Sequence, residues 1–249
     1  MKIEQTEVSI SAPDGQMPAF LLTPTEPNHK PAVLLLMEAF GLTSHIRDVA
    51  IRIAREGYVV LVPDLYYREL PNNKFGYDEV ESAMAMMYRL DLKSVEADIR
   101  AALAFLKSQK DVYRDKPGEA ALPCERIGVT GFCLGGGLSF LTACKFSAEI
   151  AAAAPFYGMV LDEWIDAVKD ITVPVHLFFG GVDPFIPCDR IRQIESRFQE
   201  LGKDYTLKVY PNAGHGFFCH ERSDYNRLAA EDAWQQLTQF FKRHLHRES

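Results

Sequence analysis

The chain has 249 residues, of which 47% are hydrophobic and 24% are charged, a composition typical of a globular protein and not of a disordered or fibrous one. The net charge is −7 without a basic run, so nucleic-acid binding is not expected. The apolar runs are all shorter than the roughly 20 residues that span a bilayer. We therefore expect one α/β domain over residues 1–249, monomeric and without membrane or nucleic-acid partners.

The predicted elements begin with a hairpin, because residues 8–11 alternate between apolar and polar, Asp14-Gly15 favours a turn, and residues 19–22 return. Further strands are predicted at 32–37, 58–62, 126–130, 150–154, 173–179 and 205–210. Helices are predicted at 43–56, 134–144, 189–201 and 224–245, with two more within 77–110 that are separated near Leu90-Asp91. Loops are predicted at 71–76 and 111–123. This alternation predicts an α/β fold with a mainly parallel sheet, helices on both faces, and a site at the carboxyl ends of the strands.

The start of the chain, MKIEQTEVSIS, contains no apolar signal core, and we expect a cytoplasmic protein. Its five cysteines are scattered, which argues against a disulfide framework and against a zinc site. Cys144 fits a helix core. Cys124, Cys188 and Cys219 have no context that suggests chemistry.

The remaining cysteine, Cys133, lies in GFCLGGG between a predicted strand and a predicted helix. This is the setting of a nucleophile elbow, G-x-S-x-G, with cysteine in the serine position. At a helix N-terminus the dipole favours the thiolate, and the backbone N–H of Leu134 would point at a developing oxyanion. The alternative is a buried structural cysteine, which the elbow motif disfavours.

Two further motifs follow predicted strands. Asp183, in GGVDPFIP, suits the acid of a catalytic triad, although an Asx turn is the alternative. His215, in NAGHGF, lies between glycines in a loop that could bring the imidazole to the nucleophile. Cys133, Asp183 and His215 occur in the order nucleophile, acid, base, which is the chain order of α/β-hydrolases.

The segments GFCLGG, GGVDPFIP and NAGHGF, with MEAFGLTSHIRD at 37–48, closely resemble the dienelactone hydrolase (carboxymethylenebutenolidase) family over nearly the whole chain. The motif around Cys133 makes this resemblance specific, because most α/β-hydrolases have serine in the nucleophile position. The resemblance implies an α/β-hydrolase fold and cleavage of lactones or small esters through a thioester. No metal or organic cofactor is implied.

The resemblance also implies roles for residues outside these motifs. Glu38 would hold the resting thiol and release it when substrate binds, and the second oxyanion amide would come from Ala39 or Phe40. Arg68 aligns with one of the family's carboxylate-binding arginines. The second arginine would fall near Cys219, where this chain offers only Arg222. Aromatic residues that could line an apolar pocket include Tyr66, Tyr67, Phe75, Tyr157 and Phe217.

Cleavage of lactones or small carboxylic esters by Cys133 is the function that the sequence predicts. A general carboxylesterase, thioesterase or peptidase at the same site is the enzymatic alternative, favoured by the missing second arginine. A non-catalytic relative with Cys133 as a redox-sensing thiol is the other alternative, which the complete set of Cys, Asp and His disfavours.

Overall fold

The computed structural model describes residues 1–26, 30–69, 74–109 and 126–246. They fall into two compact units, Met1–Gly128 and Val129–Ser249. The predicted loop at 111–123, residues 71–73 of the loop predicted at 71–76, and Cys124 lie outside the described residues. The single domain expected for residues 1–249 stays a prediction.

The first unit contains four strands in the order β1-β2-β4-β3. Their bounds are Ile3–Ala12 for β1, Gly15–Pro24 for β2, Ala32–Leu36 for β3 and Val59–Pro63 for β4. Its helices are α1 (Ser44–Arg55), α2 (Val80–Arg89) and α3 (Leu92–Ser108). The hairpin is longer than predicted, because β1 lies at the edge of the sheet and is buried only at Ile10, so its polar residues conceal the strand pattern.

Burial and caps explain why the elements of this unit form where they do. Every residue of β3 and of β4 is buried, which requires that both faces of these strands are covered. Thr43 caps α1 by accepting a hydrogen bond from the Ile46 N–H at 3.3 Å. Asp91 caps α3 by accepting from the Ser94 N–H at 2.9 Å, which separates α3 from α2 at the predicted break.

The second unit continues from β5 (Ile127–Phe132), which begins in the last residues of the first unit. Strands β6 (Ala152–Phe156), β7 (Val175–Gly180) and β8 (Tyr205–Tyr210) follow in the order β5-β6-β7-β8. Its helices are α4 (Leu134–Lys145), α5 (Asp162–Asp166), α6 (Cys188–Glu200) and α7 (Arg227–Leu245). The five-residue α5 was not predicted, since it is too short to show a helical period.

The predicted α/β class is confirmed. The β1–β2 and β2–β4 pairs are antiparallel, whereas the β3–β4, β6–β7 and β7–β8 pairs are parallel. The predicted strand at 150–154 is displaced by two residues, because β6 begins only at Ala152. Among the described helices, none combines the length and the apolar character needed to cross a membrane.

Candidate active site

Cys133 forms the turn between β5 and α4. Its φ of 55° and ψ of −114° lie in a region that residues other than glycine rarely adopt, which is the strained geometry of a nucleophile elbow. Its backbone N–H donates to the carbonyl oxygen of Phe156 at 3.1 Å. The residue is only partly buried, so the sharp turn holds the side chain at the helix N-terminus without enclosing it.

Glycines let α4 approach the end of β6 closely. A Cβ on Gly136 would lie 2.1 Å from the carbonyl oxygen of Phe156, and a Cβ on Gly158 would lie 2.1 Å from the backbone nitrogen of Gly137. Both distances are shorter than any real contact of a methyl group with backbone. The glycine-rich motif therefore fixes the position of the first turn of α4, and with it that of Cys133.

Asp183 and His215 are in direct contact. Nδ1 of His215 lies 2.8 Å from Oδ2 of Asp183. The other carboxylate oxygen, Oδ1, accepts from the backbone N–H groups of Phe185 at 2.8 Å and Ile186 at 3.2 Å. The Asx turn, posed from sequence as the alternative, is thus present, and the role of Asp183 as the acid of a catalytic triad stays a prediction. The turn holds one oxygen still while the other faces the imidazole.

His215 also contacts Cys133. Burial by itself lowers the pKa of His215, but the hydrogen bonds and charges of Asp183 and Cys133 outweigh burial and raise the pKa to about 10. Since Nδ1 faces Asp183, Nε2 is the ring nitrogen that remains for Cys133. The imidazole of His215 thus lies between a carboxylate and the Cys133 sulfur, both of which favour its protonated form.

Two aromatic rings pack edge-on against the imidazole of His215. Tyr157 has its ring centroid 5.2 Å away and Phe185 has its centroid 5.0 Å away. Phe217 packs on Tyr157 in turn, at 5.1 Å. Tyr157 and Phe217, predicted as substrate-binding residues, are fully buried, so they support His215 and offer no accessible surface to a substrate.

Phe185, in contrast, is 57% exposed, and sequence reasoning missed it. The signal in the sequence is an aromatic residue two positions after Asp183, within a loop of glycine and proline.

Glu38 is fully buried within the first unit. Its Oε2 accepts from the Tyr77 hydroxyl at 2.8 Å and lies 3.5 Å from the Thr43 hydroxyl. Tyr77 is a partner that sequence reasoning did not find, because it lies 39 positions away along the chain. The role of Glu38 at the thiol stays a prediction.

The predicted oxyanion donors are Leu134 and either Ala39 or Phe40. Leu134 is the first residue of α4, where backbone N–H groups have no acceptor within the helix. Ala39 and Phe40 belong to the first unit; the carbonyl of Ala39 accepts from the Tyr66 hydroxyl at 2.8 Å, and the ring of Phe40 packs edge-on against Tyr77. Their part in binding an oxyanion stays a prediction.

The guanidinium nitrogens of Arg68 donate hydrogen bonds to two carboxylates of the first unit. Its Nη1 and Nη2 donate to the two oxygens of Asp98 at 2.5 and 2.9 Å, and its Nε donates to Asp14 at 2.8 Å. Asp98 is fully buried, so this bidentate pair neutralises a buried carboxylate. The predicted role of Arg68 in binding a substrate carboxylate stays a prediction.

Arg222 lies behind the loop that carries His215. A Cβ on Gly216 would lie 3.0 Å from Nε of Arg222, and Nη2 of Arg222 lies 3.4 Å from Asp224. Only 15% of the Arg222 side chain is exposed. The arginine therefore packs against the histidine loop, and its predicted contact with substrate stays a prediction.

A strained strand-to-helix turn, followed along the chain by an aspartate and a histidine in contact, defines the class of α/β-hydrolases. A family model described as "Dienelactone hydrolase family" matches residues 17–245. The chain belongs to the dienelactone hydrolase family, and it is a carboxylic ester hydrolase of that family.

Individual relatives agree over nearly the full length. A protein of Synechocystis sp. named "Putative carboxymethylenebutenolidase" is 32% identical over 253 residues, with 98% of each chain covered. A protein of Bradyrhizobium sp. named "Probable 2-oxo-3-(5-oxofuran-2-ylidene)propanoate lactonase" is 29% identical over 236 residues, which cover 91% of this chain and 89% of that one. A crystal structure from Klebsiella pneumoniae described as a "Putative Dienelactone Hydrolase" superposes with a TM-score of 0.86 at 26% identity, covering 98% of this chain and 100% of that one.

Proposed function

We propose that the protein hydrolyses lactones or small carboxylic esters through a thioester on Cys133. The observation that supports this most is the imidazole of His215, which contacts Cys133 on one side and Asp183 on the other, at 2.8 Å. Nucleophile, base and orienting acid in mutual contact are the minimum that covalent acyl transfer requires.

The raised pKa of His215, about 10, favours a reacting state in which an imidazolium faces the Cys133 sulfur through the proton on Nε2. The positive end of α4 favours a thiolate on that sulfur when it attacks the substrate. Asp183 keeps the Nδ1 proton in place.

In acylation the Cys133 sulfur forms a bond to the ester carbonyl carbon, and the carbonyl oxygen becomes an oxyanion. The Leu134 N–H, at the start of α4, is our candidate donor to this oxyanion. The bond between the carbonyl carbon and the leaving oxygen then breaks. The leaving oxygen takes the Nε2 proton of His215 and departs as an alcohol, or as the enol end of an opened lactone.

In deacylation the neutral His215 removes a proton from water, and the hydroxide attacks the thioester carbonyl. The carbon–sulfur bond breaks, which releases the carboxylic acid and restores the thiolate and the imidazolium. The cycle consumes one water per ester. A thiolate is also a good leaving group, so we expect activated, conjugated esters such as enol lactones to react fastest.

The second candidate is an esterase of neutral substrates, and the geometry of Arg68 favours it. Dienelactone carries a free carboxylate, and the nitrogens of Arg68 already donate to Asp98 and Asp14. A matched substrate pair separates the two candidates: dienelactone and its methyl ester differ only in that charge.

The test is hydrolysis of both compounds by the purified protein, by the Cys133→Ala variant and by the Cys188→Ala variant. Cys188 is an exposed cysteine and serves as the matched control. We expect turnover in the wild type and in Cys188→Ala, and none above background in Cys133→Ala. Full activity in Cys133→Ala would contradict the proposal, and a preference for the methyl ester would favour the neutral esterase.

A further inference from the structure

A cavity of about 260 Å³ lies within the second unit, beside the residues of the proposed triad. Its lining is apolar except for Asp162 and Arg190. The apolar lining includes Met159, Val160, Phe185 and Ile186. Its volume is enough for a short alkyl chain or one aromatic ring.

Phe185 joins this cavity to the catalytic residues. Its ring packs edge-on against the imidazole of His215, with centroids 5.0 Å apart, and its backbone N–H donates to Asp183 at 2.8 Å. Met159 reaches the cavity from the segment after β6, whose backbone packs on the first turn of α4: its carbonyl oxygen would lie 2.7 Å from a Cβ on Gly137. The cavity therefore adjoins His215 and Asp183 through Phe185, and its Met159 belongs to the segment that packs on α4.

Exposed apolar side chains mark the cavity as a binding surface. Phe185 is 57% exposed and Met159 is 44% exposed, although most large apolar side chains among the described residues are buried. Apolar surface left accessible beside a catalytic group is typical of a ligand site. Covering it with an apolar group would be favourable in proportion to the area removed from water.

The polar groups of the cavity disfavour an anion. Nε and Nη2 of Arg190 both donate to the Val160 carbonyl, at 3.1 and 2.5 Å. Nη1 of Arg190 donates to Asp162 at 2.6 Å and to Gln193 at 2.7 Å. The guanidinium is thus occupied in fixing the cavity wall. Asp162 leaves a carboxylate that is 90% exposed at the cavity, and it would repel a negatively charged substituent.

We propose that this cavity is the leaving-group subsite, and that it takes an uncharged, apolar alkyl or aryl alcohol portion of the substrate. This rests on the proposed function. The leaving oxygen must come within hydrogen-bond reach of Nε2 of His215 to receive its proton. Phe185 packs on that imidazole, so the substituent on the leaving oxygen extends past His215 along Phe185 into the cavity.

The test uses two ester series. In the first, the acyl group is always acetyl and the alcohol grows from methyl through butyl to hexyl. In the second, the alcohol is always methyl and the acyl group grows from acetyl to hexanoyl. All members of the first series form the same acetyl-enzyme, so differences in their kcat/KM report acylation and the fit of the alcohol alone.

For the wild type we expect kcat/KM to rise with alcohol length, by up to about fourfold for each methylene buried, and to change less with acyl length. Phe185→Ala and Met159→Ser should each lower the ratio of kcat/KM for hexyl acetate to kcat/KM for methyl acetate about tenfold. Phe185→Leu should restore most of the loss. Val182→Ala is the matched control, since Val182 is 62% exposed in the same loop but does not line the cavity.

Charge gives an independent readout. Asp162→Asn should raise several-fold the ratio of kcat/KM for an acetate ester whose alcohol carries a carboxylate to kcat/KM for butyl acetate. The leaving-group assignment is overturned if Phe185→Ala and Met159→Ser instead reduce the dependence of kcat/KM on acyl length. It is also overturned if they lower kcat/KM equally for all acetates. If the wild type hydrolyses dienelactone or its methyl ester but no ester of either series, the leaving-group assignment is overturned. If it hydrolyses none of these compounds, the proposed function itself fails, and the subsite falls with it.

Discussion

Two buried carboxylates, one in each unit, show how similar contacts serve different purposes. In the first unit, Asp98 receives two hydrogen bonds from Arg68. In the second unit, Asp183 receives hydrogen bonds from His215 and from two backbone N–H groups. Both carboxylates are shielded from water, and in both cases a cationic partner lies within 3 Å.

The two pairs differ in what the partner can release. The Asp98 hydrogen bonds raise the pKa of Arg68 further above its already high value, so that pair carries a fixed charge and can only stabilise structure. His215 has a pKa raised to about 10 and also contacts Cys133, so its proton can move during a reaction. A buried carboxylate indicates catalysis only where its partner can exchange a proton with a nucleophile.

The largest effect is expected from Asp183→Asn. The amide cannot hold the Nδ1 proton of His215 as a carboxylate does, so we expect kcat for a good ester substrate to fall by about 10³ to 10⁴-fold. Steady-state kinetics with a chromogenic ester measures this. A loss of less than tenfold in a folded variant would show that Asp183 is only an Asx-turn residue.

Asp98→Asn should have the opposite profile. Removing the charge leaves Arg68 half-buried against a neutral partner, so we expect the free energy of unfolding to fall by about 3 kcal/mol. The kcat and KM of the folded variant should stay within about twofold of wild type. Urea unfolding followed by kinetics below the transition checks both. A selective loss of activity toward the anionic dienelactone would return Arg68 to the substrate site.

A smaller effect is expected from pH. His215 is protonated below its pKa of about 10 and loses its proton above it, so only above that pH does the enzyme lack a proton for the leaving oxygen. Turnover of alkyl esters should therefore fall as pH rises through about 10. Acylation by a p-nitrophenyl ester should not, because p-nitrophenolate leaves without a proton. A decline centred near the ordinary histidine pKa of about 6.5 would contradict the raised value.

The local pattern of apolar and polar residues was enough to predict most of the strands and helices. The buried strands read as continuous apolar runs, β8 has the predicted bounds, and the break between α2 and α3 falls at the predicted Leu90-Asp91. The hairpin was underestimated because β1 is an edge strand with polar residues on both faces. Helix α5 was missed because five residues do not show a period.

The sequence predicted those residues of the candidate site that lie in short motifs. Cys133, Asp183 and His215 each lie in a short segment that follows a strand, so chain order alone grouped them. Partners distant in sequence could not be found in this way: Asp98 lies 30 positions from Arg68, and without it the arginine resembled a substrate ligand. A motif also does not show which of its side chains are buried. For this reason Tyr157, which is fully buried, was expected to line the pocket, and Phe185, which is exposed, was not.

The most direct test of the account is the mass of the intact protein during turnover. The enzyme is mixed with excess ester and quenched in acid after milliseconds, and the mass of the intact protein is then measured by mass spectrometry. We predict a species heavier by one acyl group, mapped to Cys133 by peptide analysis, absent in Cys133→Ala and present in Cys188→Ala. An undiminished turnover in Cys133→Ala, or an acyl group on another residue, would contradict the account.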